Sequence, residues 1–261
     1  MSKNEAVLRH CLEQITLHTG ATARAIGIYG GSGSGSSALV HQIARRADKL
    51  GKRVLHLDSG HFPDSQYIQQ KLLHFLGVGT VNIPEGVDRL LPLCAAVMDL
   101  RRYDVLLLED AQNYNGFSRR VTDCNTQALL HIMQLPQPPL IITAGPADAV
   151  EFHHSNFVDA GIASELRALP AMANDQSYAE FVSAVCEALS SGNHFVTQID
   201  VNDLYQKSQG RVGQTVRLLE WLYLNASADV CFSKHELYRQ TIPNEFDEDG
   251  EYADEDTEPG Y

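Results

Sequence analysis

Gly30, Gly31, Ser32, Gly33, Ser34, Gly35, Ser36 and Ser37 stand between an apolar run, Ala25 to Tyr29, and an amphipathic stretch that begins near Ser37. Glycines in such a place let successive backbone N–H groups converge on an anion, and the following helix turns its positive end to the same spot. The pattern that cradles nucleotide phosphates is G-x-x-x-x-G-K-[ST]; Gly30, Gly35 and Ser37 fit it, while Ser36 takes the lysine place. A serine hydroxyl cannot bring the full charge that meets the β and γ phosphates, so affinity and transition-state stabilisation should both suffer. Ser37 keeps a hydroxyl that could touch Mg2+. Flexible linkers share this composition, but a free linker would not interrupt a strand-helix unit.

A second element is Val105 to Leu108, an apolar strand that delivers Glu109 and Asp110 and continues as Ala111-Gln112-Asn113. Two acids at such a strand end serve a metal ion and an attacking water in phosphoryl transfer. The usual order is Asp then Glu, and here it is reversed. Glu109 brings the longer stem to the metal position, and Asp110 falls about one methylene, roughly 1.5 Å, short of the water. A misplacement of about 1 Å can cost ~100-fold in rate. The other reading is an acidic strand end that only caps the next segment.

Short apolar runs alternate with longer amphipathic ones, which predicts an α/β fold with a parallel sheet flanked by helices. Expected strands are 25–29, 53–57, 104–108 and 140–143, with a short fifth near 166–169 inside an otherwise irregular stretch, 144–171. Expected helices are 4–19, 37–50, 64–75, 84–102 with a kink at Pro92, and 117–133. After Pro170 the pattern turns helical only: 176–190, 201–208, 214–226 and 234–241. The chain then reads as an N-terminal helix (1–21), an α/β core (22–172), a small helical lid (173–242) and an acidic tail (243–261) that should be disordered when free.

The 261 residues are 44% apolar and 20% charged, the composition of a folded chain. No apolar run approaches the ~20 residues that span a bilayer, and Met1 to Leu12 lacks the design of an export signal, so the expected location is cytoplasmic, without membrane contact. The five cysteines lie at least 30 positions apart, too far for a metal clip or redox pair, and read as buried thiols. Net charge is −13, but nine of the 33 acids fall between Glu245 and Tyr261, where there is no Lys or Arg. The body then carries only −4, which leaves room for a local basic patch.

Taken together, these residues resemble the AAA+ proteins of the TniB/TnsC type that regulate DNA transposition, with MuB and ExeA-like ATPases as cousins. The resemblance runs from about Thr22 to Ala226. It rests on Gly30 to Ser37, the Lys71 to Gly77 helix end, Glu109 to Asn113, the turn Thr143 to Ala149, Leu169-Pro170, and Ser208-Gln209-Gly210-Arg211-Val212-Gly213. It implies ATP-driven self-assembly on double-stranded DNA and contact with a transposase and a target-selection protein. Gly30, Gly31, Ser32, Gly33, Ser34, Gly35, Ser36 and Ser37 would hold phosphates, Ser37 and Glu109 the metal, and Asp110 the water. Gly210 and Arg211, in the run ending at Gly213, would bring the lid over the nucleotide. Arg167 is the nearest candidate for the inter-subunit arginine finger, with a surface structural role as the alternative. Three departures accumulate: Ser36 for lysine, the swapped acids, and Pro146 where the family has a polar Thr. A proline has neither N–H nor hydroxyl to sense a γ phosphate. ATP and Mg2+ are therefore doubtful cofactors.

Arg45, Arg46, Lys52 and Arg53, and separately Arg119 and Arg120, are candidate DNA contacts that would act through phosphates; solvated helix faces would explain them as well. His153 and His154, read on a loop, suggest structure rather than a metal site. The acidic tail, with Phe246, Tyr252 and Tyr261, is either a solubilising run or a segment that docks on a basic partner or on the protein's own DNA-binding groove. The sequence thus points to a regulatory adaptor of DNA transposition with impaired or absent ATP hydrolysis. The alternatives are an active divergent ATPase forming ATP-dependent oligomers on DNA, and an ExeA-like or initiator-control module unrelated to transposition.

Overall fold

The computed structural model describes residues 3–58, 67–78, 90–115, 118–189 and 199–226. The helix expected at 234–241, the first part of the one expected at 84–102 and the acidic tail lie outside them.

Five parallel strands form one sheet: β1 (Arg24–Tyr29), β2 (Val54–Leu57), β3 (Val105–Leu108), β4 (Leu140–Gly145) and β5 (Ala163–Ala168). Their order is β2-β3-β4-β1-β5, so the first strand lies inside the sheet with β4 and β5 as neighbours. β3 and β4 are buried throughout, which is why their sequences run apolar without alternation. β5 is the partly exposed edge and alternates poorly.

Helices cover both faces. On one, α1 (Lys3–Leu17) and α2 (Ser36–Lys49) bury Val7, Leu8, Cys11, Ile15, Val40 and Ile43 against Ile26, Ile28, Leu107 and Ile142. On the other, α3 (Ile68–Phe75), α4 (Pro92–Arg101) and α5 (Arg119–Ile132) pack Leu72, Cys94, Met98 and Leu129 on Leu106, Leu108 and Ile141. Residues 106 and 108 point one way and 105 and 107 the other, as pleating requires.

Pro92 does not kink a helix but opens α4 at its first turn, where its missing N–H costs no helical bond. The stretch read as irregular holds a full helix, α6 (Ala147–Asp159), and all six residues of β5. Its apolar side was readable in the spacing of Val150, His153 and Phe157, all buried. Beyond Pro170, α7 (Gln176–Leu189), α8 (Val201–Ser208) and α9 (Val212–Ala226) build their own cluster around Tyr178, Val182, Cys186, Leu204 and Leu219. The Tyr178 hydroxyl joins this cluster to the α8–α9 turn through Ser208 Oγ at 2.9 Å and Thr215 Oγ1 at 3.2 Å. Cys11, Cys94, Cys124 and Cys186 are buried and in no disulfide, and burial pushes Cys11 up to about 12 and Cys94 up to about 11. Cys11 and Cys94 therefore stay protonated at neutral pH.

Candidate functional site

Strand order brings three chain segments to one end of the sheet. The loop after β1, the acids after β3 and the turn after β4 meet there, because β4 separates β1 from β3 and all three run the same way.

The loop is a compact turn. Ser34 N–H donates to Gly31 O at 2.9 Å, Gly30 N–H to Gly145 O at 3.3 Å, and Gly33 and Gly35 both take left-handed φ, +73° and +87°. Gly35 then caps α2, so the loop ends on a helix N-terminus whose first N–H groups lack partners within the helix. Ser36 and Ser37 are the first two residues of that helix.

Glu109 follows Leu107 onto the α2 face and is only 6% exposed. Its Oε2 lies 3.1 Å from His56 Nε2 and 3.6 Å from His41 Nε2, and Ser37 hydrogen-bonds to the same carboxylate. The hydrogen bond from His56 is the main reason its carboxyl sits below the ordinary range; burial pushes the other way, and Ser37 and His41 add to the lowering. His41 and His56 went unnoticed in the sequence. His41 stands four residues after Ser37, one helical turn on, which was a readable signal. His56 reaches Glu109 only because β2 pairs with β3 in the register His56↔Leu107.

Asp110 does not join Glu109. It takes a left-handed conformation, φ +53°, and opens the short 3-10 turn Ala111–Tyr114. Its charge and that of Asp58 act on Lys71 of α3, which is 2% exposed with its ammonium 4.9 Å above the Tyr114 ring. Burial lowers the Lys71 ammonium from its ordinary value, against the pull of the two aspartates. The two acids have different hydrogen-bond partners, His56 and Ser37 for Glu109 and Gln112 Nε2 at 3.5 Å for Asp110, while the charges of both bear on Tyr114.

The segment after α8 sits on the loop. Arg211 donates to Ser32 O at 3.2 Å, and Gln214 N–H donates to Gly33 O at 3.1 Å. A Cβ on Gly213 would stand 3.0 Å from Gly33 O and 3.4 Å from Gly35 N, so only a glycine lets the start of α9 lie this close. Gly210 holds the turn at φ +70° and Ser208 Oγ accepts its N–H at 3.2 Å. Pro146 starts α6 as its cap.

Arg167 has partners within the chain. It meets Glu165 Oε2 at 2.8 Å and His10 Nε2 at 3.0 Å, on the β5 edge, while His10 Nε2 also lies 2.6 Å from Glu165 Oε1. Burial alone would raise the Glu165 carboxyl, but His10 and Arg167 outweigh it and hold it lower. Arg45, Arg46, Lys52 and Arg53 gather where α2 ends and β2 begins, at the end of the sheet opposite the loop. Arg119 and Arg120 begin α5, on the loop's end of the sheet. Arg46 pairs with Glu5 at 3.3 Å, Lys52 with Asp104 at 3.4 Å and Arg119 with Asp123 at 3.9 Å. The two basic groups do not form one surface.

His153 and His154 lie on α6 rather than on a loop. His153 is fully buried, with Nε2 3.4 Å from Ala111 O, and burial lowers its imidazole to about 4. The unfolded chain takes up this proton near pH 6.5 and the folded one only near 4. Stability is therefore complete above about pH 6.5 and falls by on the order of 3 kcal/mol as pH drops to about 4. Urea midpoints measured from pH 7 to pH 4 should follow that slope, and His153→Leu should remove this part of it. Among the described residues no group of three or more His, Cys, Asp and Glu side chains is arranged to hold a metal ion, and no helix is long and apolar enough to cross a membrane.

No protein-family model and no curated protein matches the sequence. Solved structures do resemble it. They include DnaA from Aquifex aeolicus bound to AMPPCP (17% identity, TM-score 0.53, 86% of this chain and 63% of that one). A Walker-type ATPase of Pyrococcus abyssi is similar at 14% identity and TM-score 0.53, over 84% of this chain and 67% of that one. The Aeropyrum pernix ORC1 protein in complex with DNA follows at 14% identity and TM-score 0.51, over 90% and 63%. The chain spans just under two thirds of the DnaA and ORC1 chains. At these identities the likeness is one of fold: the α/β P-loop fold of AAA+ ATPase domains.

Proposed function

We propose that this protein is a regulatory adaptor of DNA transposition, built on an AAA+ fold and working through binding to its own copies, to duplex DNA and to a transposase or target-selection protein, without productive ATP turnover. The observation that carries the reading is the loop itself. Its lysine place holds Ser36, its Ser32 and Gly33 carbonyls are engaged by Arg211 and Gln214, and the carboxylate at the metal position already receives His56 and Ser37.

ATP and Mg2+ fit these residues poorly. A β phosphate needs a lysine that is absent from this loop, on whose carbonyls Arg211 and Gln214 already lie. Mg2+ prefers oxygen ligands in octahedral geometry, whereas two imidazoles converge on Glu109. Asp110 sits in a left-handed turn with Gln112 Nε2 3.5 Å from its carboxylate. What remains is a shaped α/β scaffold with a docked helical segment, suited to presenting surfaces.

The transposition role is supported by the resemblance of the loop, the strand end and the Ser208 to Gly213 turn to TniB/TnsC-type proteins. The DNA role is supported by the Arg and Lys residues at α2 and α5, and by the ORC1 relative in fold, whose structure is a complex with DNA. The second reading is an ExeA-like or initiator-control module; the likeness to ORC1 and DnaA is one of fold and fits either.

Purified full-length protein with radiolabelled ATP should release phosphate at the buffer rate, and electron micrographs with duplex DNA should show the same assemblies with and without ATP. Hydrolysis that Asp110→Ala abolishes would establish the active-ATPase reading instead. Binding to a transposase encoded beside this chain separates the transposition role from initiator control.

A further inference from the structure

The face opposite the loop is basic and apolar at once. Lys49, Lys52, Arg53, Arg101 and Arg102 come together where α2 and α4 end and β2 begins, against three acids, Asp48, Asp99 and Asp104. A depression of about 510 Å3 runs between Lys52, Arg53, Arg101 and Tyr103. Cations at helix C-termini answer the carbonyl ends of the helices, which would account for Lys49 and Arg101 alone. It does not account for Leu50, 57% exposed and next to Lys49 in the chain, or Leu100, 80% exposed and next to Arg101. Large exposed leucines beside cations mark a surface made for an acidic ligand that also carries apolar groups.

The sequence contains such a ligand. Glu245 to Tyr261 holds nine carboxylates, no Lys or Arg, and aromatic residues at Phe246, Tyr252 and Tyr261. A DNA backbone would meet the cations but has nothing to set against Leu50 and Leu100; an acidic, aromatic segment meets both. Reach is sufficient. Eighteen residues separate Ala226, where α9 ends, from Glu245. Extended, they cover up to about 60 Å, against a radius of gyration of roughly 17 Å for a domain of this size.

We infer that the C-terminal segment Glu245–Tyr261 docks, within the same chain, on the basic and leucine-flanked face formed by the ends of α2 and α4 and the start of β2. The cations pair with its carboxylates, and Leu50, Leu100 and the tyrosine of the depression receive its rings. The inference needs neither nucleotide nor a transposase, but it shares Lys52 and Arg53 with the DNA contacts proposed above, so the segment and a duplex would compete there.

The test is photo-crosslinking in the full-length chain with p-benzoylphenylalanine in place of Tyr252. Crosslinks should fall on peptides around Leu50 and Leu100. They should drop about tenfold with Lys49→Glu and Arg101→Glu together, and similarly in about 0.5 M NaCl. Both side chains are exposed, and circular dichroism checks that the fold is kept. Adding Asp247→Lys, Glu248→Lys and Asp249→Lys to the reversed face should restore the crosslinks. Crosslinks elsewhere, or unchanged by charge reversal, overturn the inference. So do crosslinks formed only between isotopically light and heavy copies, which would assign the face to a second copy's segment. Absence of crosslinks, with charge reversal abolishing duplex-DNA binding, would overturn it in favour of nucleic acid.

Discussion

Ser36→Lys should tighten ATP binding by on the order of 10- to 100-fold, the value of one charge-assisted hydrogen bond of about 1.5–3 kcal/mol, while turnover stays at background. The gain is expected because Ser36 opens α2 beneath the loop, where a lysine would add its charge to the helix N-terminus. Turnover should not follow, because the substitution leaves Glu109 bound to His56 and Ser37 and leaves Asp110 in its left-handed turn. Titration with a fluorescent ATP analogue measures the first half and phosphate release the second. Unchanged affinity would mean that the missing cation is not the main defect and that the Gly213 contact is. Phosphate release on restoring the lysine alone would mean that the acids are competent as they stand.

Gly210→Ala should destabilise the helical segment by about 3 kcal/mol. A non-glycine residue at left-handed φ costs roughly 1–2 kcal/mol and overpacking a further 1–3 kcal/mol. Both apply, since φ is +70° and a Cβ would stand 2.3 Å from Met172 O, a backbone atom that cannot swing away. Gly51 is the control. Its φ of +74° is similar but nothing lies within 4 Å, so Gly51→Ala should cost only about 1 kcal/mol. The single tryptophan, Trp221, lies in α9 and reports the transition by fluorescence during urea denaturation. Equal midpoints for the two variants would show that Met172 is not in close contact with this turn.

Much of the fold was legible because its signals are local. β1, β3 and β4 announce themselves as apolar runs, and the glycines of the loop mark a turn between strand and helix. α6 was missed although Val150, His153 and Phe157 share a helical face, because Pro146 before it and the polar His154-Ser155-Asn156 within it read as loop chemistry. In the structure that proline is the helix cap, Ser155 is exposed, and His154 is half-buried with Nδ1 2.8 Å from Ser164 Oγ of β5. Pro92 was misread for a related reason: the same ring that breaks a helix interior starts a helix well, and only the position of the first turn tells the two apart.

The site was half legible. Ser36 in place of lysine and the reversed acids can be read one residue at a time, because each departs from a pattern of fixed spacing. What the acids do could not be read so. Glu109 and Asp110 are adjacent in the chain, yet pleating and one left-handed residue give them different partners, His56 and Ser37 for one and Gln112 for the other.

From its sequence alone the protein was bound to form alternating strands and helices with a glycine-rich turn after the first strand, since periodicity and backbone freedom act over a few residues. Only the tertiary structure decided that Arg211 would lie on Ser32, 179 residues away, that two histidines from different elements would meet one glutamate, and that the two basic groups would part to opposite ends of the sheet. Those outcomes depend on strand order and register, which arise from how whole faces bury one another and are written in no single segment.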